Sequence, residues 1–157
     1  MGAWRGILAL IAALMALAPA QAAPVPAAEV RAALTDITDA MAARLMDEHG
    51  RARGDYHWAS GQWREYEPAW HTGQMIEALL AAYEVTGDPR YLARAREAGD
   101  WWIGLELKDG PFKGMIDAAH GDRLGALINF TTVGNGTPGL FRLSRVTGDP
   151  RYADVAS

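Results

Sequence analysis

Between Tyr56 and Gln74 the chain sets aromatic rings among charged and amide side chains at a density unusual for a connection: Tyr56, His57, Trp58, Trp63, Arg64, Glu65, Tyr66 and Glu67, then Trp70, His71 and Gln74. Flat indole and phenol rings stack on the apolar faces of pyranose rings, while carboxylates, amides and guanidinium groups bind hydroxyls or pair with an acid group. Rings and polar groups interleaved in this way suit a sugar subsite. The competing reading makes Trp63 and Trp70 plain core. On the first reading Trp58, Trp63 and Trp70 are stacking walls, Arg64 faces a uronate carboxylate, and Gln74, His120 and Asn129 bind substrate by hydrogen bonds.

Carboxylates near these rings define the possible reactions. Hydrolysis of a glycosidic bond takes one carboxylic acid to protonate the leaving oxygen and a second group to activate water, and Glu65, Glu67, Asp117 and Asp122 are the candidates. His71, near the start of a helix, is a further catalytic candidate as a base or a substrate hydrogen-bonder. In a lyase or epimerase, His71 or a tyrosine would instead remove the proton beside a carboxylate, with Arg64 or Asn129 stabilising the charge that develops. A third reading is a non-catalytic helical repeat that binds glycans or proteins. The long connection from Lys108 to Thr132 carries Asp117, His120, Asp122 and Asn129, with glycines at 110, 114, 121 and 125; loops of this length are often functional. Asp117, His120 and Asp122 lack the spacing of a metal site, so neither a metal nor another cofactor is expected.

The chain lacks cysteine and carries a net charge of -4. A disulfide framework and thiolate chemistry are thereby excluded, and with no Lys/Arg cluster a nucleic-acid partner is disfavoured. No phosphate loop, nucleophile-elbow serine or paired-histidine zinc helix occurs. Residues 1–22 have the layout of a secretory signal: Arg5, an apolar run from Ile7 to Ala18 too short to span a bilayer, then Ala20-Gln21-Ala22 before a cut at Ala23. Residues 23–27 read as a spacer. The expected location is periplasmic or extracellular, with no membrane span in the mature chain.

The elements that must position these side chains are helices. Val30, Leu34, Ile37, Met41 and Leu45 draw one apolar stripe between Pro26 and Gly50. A second helix is predicted over Pro68 to Thr86, with Trp70, Ile76, Leu79, Leu80 and Tyr83 apolar and Gly87 as its stop. Asp88 caps a third, which turns Leu92, Ala95, Gly99, Trp102 and Ile103 to one side. No segment alternates as a half-buried strand would, short stretches near Met115 and Ile128 aside, so the fold class is all-α.

Val85-Thr86-Gly87-Asp88-Pro89-Arg90-Tyr91 recurs identically as Val146 to Tyr152, an offset of 61 residues. The same register sets Gly73 over Gly134, Leu79 over Leu140 and Leu80 over Phe141, which makes the unit a helical hairpin. Glycine supplies the left-handed residue that ends one helix, aspartate caps the next, proline fixes its first φ, and the tyrosine packs across the hairpin.

Trp70-His71-Thr72-Gly73 followed by Leu79 through Leu92, with Pro138, Leu140, Ser144 and Thr147-Gly148-Asp149-Pro150 in the second copy, resembles the helix-and-turn signature of the six-hairpin glycosidases. Within that superfamily the stretch is similar to glycoside hydrolase families 88 and 105, the unsaturated uronyl hydrolases. The resemblance implies an (α/α)6 barrel with sugar bound at the ends of its inner helices, the second and fourth helices here being inner. It also implies an aspartate at the start of an inner helix, where this register has Thr132; that difference keeps lyase and epimerase chemistry open. Six hairpins of this period need roughly 360 residues. Residues 28–157 are therefore expected to be the N-terminal part of a catalytic domain, inactive alone and helical with poor cooperativity.

Overall fold

The computed structural model describes residues 24–64, 67–118 and 128–157. The expected signal segment lies outside them, as do Glu65, His120 and Asp122. Two compact units divide between Val30 and Arg31. Residues 24–30 of the first are exposed, and the packing that follows belongs to the second.

The described residues form helices α1 (Ala27–Arg44), α2 (Pro68–Thr86), α3 (Pro89–Ile103), α4 (Phe130–Thr147) and α5 (Pro150–Ala156), with a two-stranded hairpin of β1 (Tyr56–His57) and β2 (Gln62–Trp63) between α1 and α2. The fold is all-α, as the periodicity predicts. Helix α2 packs against both α3 and α4, α4 packs against α5, and α3 meets α5, so two helical hairpins stand side by side. Their shared core holds Ile76, Leu79 and Leu80 of α2, Tyr91 and Trp102 of α3, Leu140 and Leu143 of α4 and Tyr152 of α5. Among the described residues no helix is long and apolar enough to cross a membrane.

Glycine sets how near α2 and α4 come. A Cβ on Gly73 would sit 2.3 Å from the Cα of Gly136, and a Cβ on Gly136 would strike the Trp102 indole at 2.5 Å. Backbone therefore meets backbone at this crossing, with the Trp102 ring packed beneath it. Trp102 Nε1 donates to the Ala69 carbonyl at 2.9 Å, which satisfies the buried indole and fixes the first turn of α2. Arg142 of α4 ties the other end of the crossing, donating to Glu77 at 2.7 Å and to Glu84 at 2.6 Å. These carboxylates hold the guanidinium in its charged form and push its pKa up.

The two copies of the turn share their capping bonds. Gly87 and Gly148 adopt φ of 74° and 71°, the left-handed conformation that glycine takes without strain. Asp88 accepts from the Arg90 N–H at 2.9 Å, and Asp149 from the Arg151 N–H at 3.0 Å. The arginine side chains return to the same carboxylates and, through hydrogen bonding first, hold both below the usual range. The tyrosines go further than packing across their own hairpin. Tyr91 donates its hydroxyl to Asp39 of α1 at 2.9 Å, and Tyr152 donates to Asp100 of α3 at 3.0 Å. Both donor and acceptor shift by the same 61 residues, so each turn is latched to the helix that precedes its own hairpin.

Two expectations need correction. On α1 the buried seam runs through Leu34, Thr38, Met41, Ala42 and Leu45, whereas Val30 is 54% and Ile37 59% exposed. Thr38 can be buried because its hydroxyl donates to the Leu34 carbonyl at 2.7 Å, so the seam turns toward 38 and leaves Ile37 at its edge. The connection after α1 is not bare loop: it contains the β1–β2 hairpin, with Tyr56 opposite Trp63, and an antiparallel bridge of Met46 with Ala52. Near Met115 the chain does pair, Leu107 N–H donating to Met115 and Asp117 N–H to Leu105, around a Glu106–Ile116 bridge. That stretch is a tight backbone hairpin held by a single bridge. Ile128, the other ambiguous position, lies two residues before α4 and forms no strand.

Candidate functional site

Helices α2 and α4 bring their amino ends together, with Glu67 joined to Asn129 and Trp70 lying beside His71. Glu67, the residue before α2, has φ 42° and ψ 50° and is 7% exposed. A left-handed glutamate is uncommon and costs free energy unless its surroundings hold it. Here the holding groups are visible. Pro68 fixes the next φ, His71 N–H donates to the Glu67 carbonyl at 3.2 Å, and Asn129 Nδ2 donates to Glu67 Oε1 at 3.2 Å. The same Asn129 accepts from Thr131 N–H at 2.9 Å through Oδ1, so one amide caps α4 and grips the carboxylate at the head of α2.

The first turn of α2 is braced from below. Thr72 is fully buried, accepts from the Ala52 N–H at 2.8 Å and donates to the Pro68 carbonyl at 2.6 Å. Above this brace Trp70 and His71 lie nearly parallel, with ring centroids 6.2 Å apart and planes 11° apart. Trp70 Nε1 and His71 Nε2 are buried and have no hydrogen-bond partner among the described residues. A buried polar nitrogen without a partner costs roughly 1–3 kcal/mol, and such atoms commonly mark a place where a ligand or water completes the bonding.

A second feature adjoins the first through Pro68. Arg51, Arg53, Trp63, Arg64 and Pro68 line a recess of about 280 Å³. Ala52, 1% exposed, and Gly54 complete its lining. Arg51 binds Asp47 at 2.8 Å. Burial pushes the Asp47 carboxyl up, but the N–H groups of His49 and Arg51 and the Arg51 guanidinium outweigh it and hold the carboxyl below the usual range. Arg53 lies over the Trp63 ring at 5.8 Å, and Tyr56 meets that ring edge-on at 5.0 Å.

Of the residues singled out from sequence, Glu67, Trp70, His71 and Asn129 therefore cluster at the paired helix ends, and Trp63 and Arg64 line the neighbouring recess. Trp58 stands at the hairpin tip, 87% exposed, and Gln74 is exposed on α2. Asp117 is half-buried beside the Leu105 backbone. Thr132 lies in α4. Sequence reading missed Arg51, Arg53 and Thr72; the period-two pattern Arg51-Ala52-Arg53 was the available signal for the first two. Among the described residues no group of three His, Asp or Glu side chains could hold a metal ion.

A family model described as the β-L-arabinofuranosidase GH127 catalytic domain matches residues 33–157. No curated protein and no solved structure matches. The match agrees with a six-hairpin glycosidase-like fold and supplies no confirmation of families 88 and 105.

Proposed function

Because the chain belongs to the β-L-arabinofuranosidase GH127 catalytic-domain family, a family of carbohydrate-active glycosidases, we propose that its paired helix ends hold the sugar of a β-L-arabinofuranoside during glycosidic hydrolysis outside the cytoplasm. The observation that carries the reading is the pair of buried nitrogens, Trp70 Nε1 and His71 Nε2, that have no hydrogen-bond partner among the described residues, beside the bonded Glu67 and Asn129. The indole N–H donates to a sugar hydroxyl. The imidazole nitrogen accepts from a hydroxyl or donates to one according to its tautomer. Glu67, held by Asn129, offers a further carboxylate oxygen for a hydroxyl or for proton transfer, and the aromatic faces cover the apolar side of the ring. Export follows from the leader pattern at Arg5, Ile7–Ala18 and Ala20-Gln21-Ala22.

Binding is the direct test, with hydrolysis followed in parallel. Methyl β-L-arabinofuranoside and β-linked arabino-oligosaccharides should show saturation transfer from the chain in NMR, and should shift its tryptophan emission. His71→Ala should weaken both signals by tenfold or more. Absence of binding to every β-L-arabinofuranoside by a chain with intact helical dichroism would overturn the reading.

A further inference from the structure

The recess beside the helix ends has a chemistry that a neutral arabinofuranoside does not use. Arg51, Arg53 and Arg64 are among the residues that line it, Trp63 supplies a ring, and no acidic side chain is among its described lining residues. The whole chain meanwhile carries a net charge of -4, so this concentration of cations runs against the overall balance. Arg51 is engaged with Asp47 and serves as a wall. Arg53 and Arg64 are exposed, and Arg53 is oriented by the Trp63 face beneath it. The Arg64 N–H donates to the Asp55 carbonyl at 2.7 Å, which fixes the backbone from which its guanidinium extends. Planar guanidinium groups match a carboxylate by two parallel hydrogen bonds, and they stack on aromatic faces without losing that ability. A volume of about 280 Å³ is at the scale of one sugar ring and is too small for a longer oligosaccharide.

We propose that this recess is a subsite for a carboxylate-bearing sugar unit, with Arg53 and Arg64 receiving the carboxylate and Trp63 facing the ring. The inference rests on the carbohydrate reading above and deepens it: the glycan that enters has an acidic residue beside the unit held at Glu67, Trp70, His71 and Asn129. Pro68 lines the recess and is also the first residue of α2, so the two places are contiguous along the chain. An acidic residue is read at one and a neutral ring at the other.

The test titrates the full chain with methyl glucuronoside, methyl glucoside, inorganic sulfate and inorganic phosphate, following tryptophan emission at low salt. The glucuronoside should bind at least tenfold more tightly than the glucoside. Its advantage should shrink as salt rises, because the charges involved are solvent-exposed. The double variant Arg53→Gln/Arg64→Gln, both changes at exposed positions, should abolish the advantage and leave β-L-arabinofuranoside binding unchanged. Equal affinity for glucuronoside and glucoside, with β-L-arabinofuranoside binding intact, overturns the inference alone. Loss of binding to every sugar overturns the function reading and the inference with it. Sulfate or phosphate binding as tightly as the glucuronoside shows a general anion site, which also overturns the assignment to an acidic sugar.

Discussion

One methyl group at two positions, one on each of α2 and α4, should act with opposite sign. Gly73 and Gly134 occupy equivalent positions in the repeat, yet their surroundings differ. The Cβ of Gly73→Ala would lie 2.3 Å from the Cα of Gly136, whereas around a Cβ on Gly134 nothing lies within 4 Å. Ordinary carbon contact begins near 3.5 Å, so accommodating the first methyl requires α2 and α4 to separate by about 1 Å along their closest line. Forcing a packed contact open costs about 1–3 kcal/mol. Replacing helical glycine by alanine returns roughly 0.5–1 kcal/mol. Gly73→Ala should therefore be destabilised by about 1–2 kcal/mol on balance of those terms, and Gly134→Ala should gain roughly 0.5–1 kcal/mol. The two variants should differ by about 2 kcal/mol, roughly a thirtyfold difference in the unfolding constant. Urea titration followed by helical dichroism measures the difference, and amide exchange along α2 and α4 locates it. If Gly73→Ala proves as stable as Gly134→Ala, the close crossing is not there and the explanation for glycine at 73 and 136 fails.

Alkaline pH should release the latches. Burial, followed by the hydrogen bond to Asp100, pushes Tyr152 from the usual 10 up to about 12, and burial with the Asp39 bond raises Tyr91 in the same direction. The folded chain thus holds these protons more tightly than the unfolded one. Their contribution is whole below pH 10 and lost as pH climbs toward 12, a loss on the order of 2 kcal/mol for Tyr152. Tyrosinate absorbance should rise together with loss of helical dichroism, and Tyr152→Phe should flatten that part of the profile; an unchanged profile in the variant would count against the latch. Asn129→Ala removes the α4 cap and the grip on Glu67, at a cost of about 1–2 kcal/mol, read as a lower melting temperature together with weaker sugar binding. Asn129→Asp keeps the cap oxygen but sets a second carboxylate against Glu67, so it should lose sugar binding with a smaller drop in melting temperature; the reverse order would disconnect Asn129 from the site.

What was readable from sequence divides along physical lines. The bounds of α2 and the geometry of both turns follow from local chemistry, since Gly87, Asp88 and Pro89 each dictate a backbone state and recur at Gly148, Asp149 and Pro150. The buried face of α3 was equally plain, because charged Arg96 and Glu97 leave only one side for Trp102. The seam of α1 was misplaced since Thr38 counts as polar in any pattern, although its hydroxyl is satisfied within its own helix turn. At the site, the sequence identified Trp70, His71, Glu67 and Asn129 by residue type. It could not show that Asn129 reaches Glu67 across 62 residues or that Glu67 is left-handed, a conformation with no signature in a glutamate. Arg53 escaped because its pairing with the Trp63 ring depends on the hairpin that carries β2, and Arg51 because it shares the recess only through that fold.

The tyrosine latches also bear on how such a chain can change length over evolution. The first hairpin carries a plug, Tyr91 in its turn, and a matching socket, Asp100 on its second helix, and the same plug and socket spacing links it backward to Asp39 and forward to Tyr152. Tandem duplication of the underlying 61 codons would carry the latch into the new neighbour unchanged, whereas the helix crossing would still need a glycine at the position that is Met75 in the first copy and Gly136 in the second. Stability in such an array accrues neighbour by neighbour, so individual hairpins can diverge in their site residues while the latch to the next hairpin is kept.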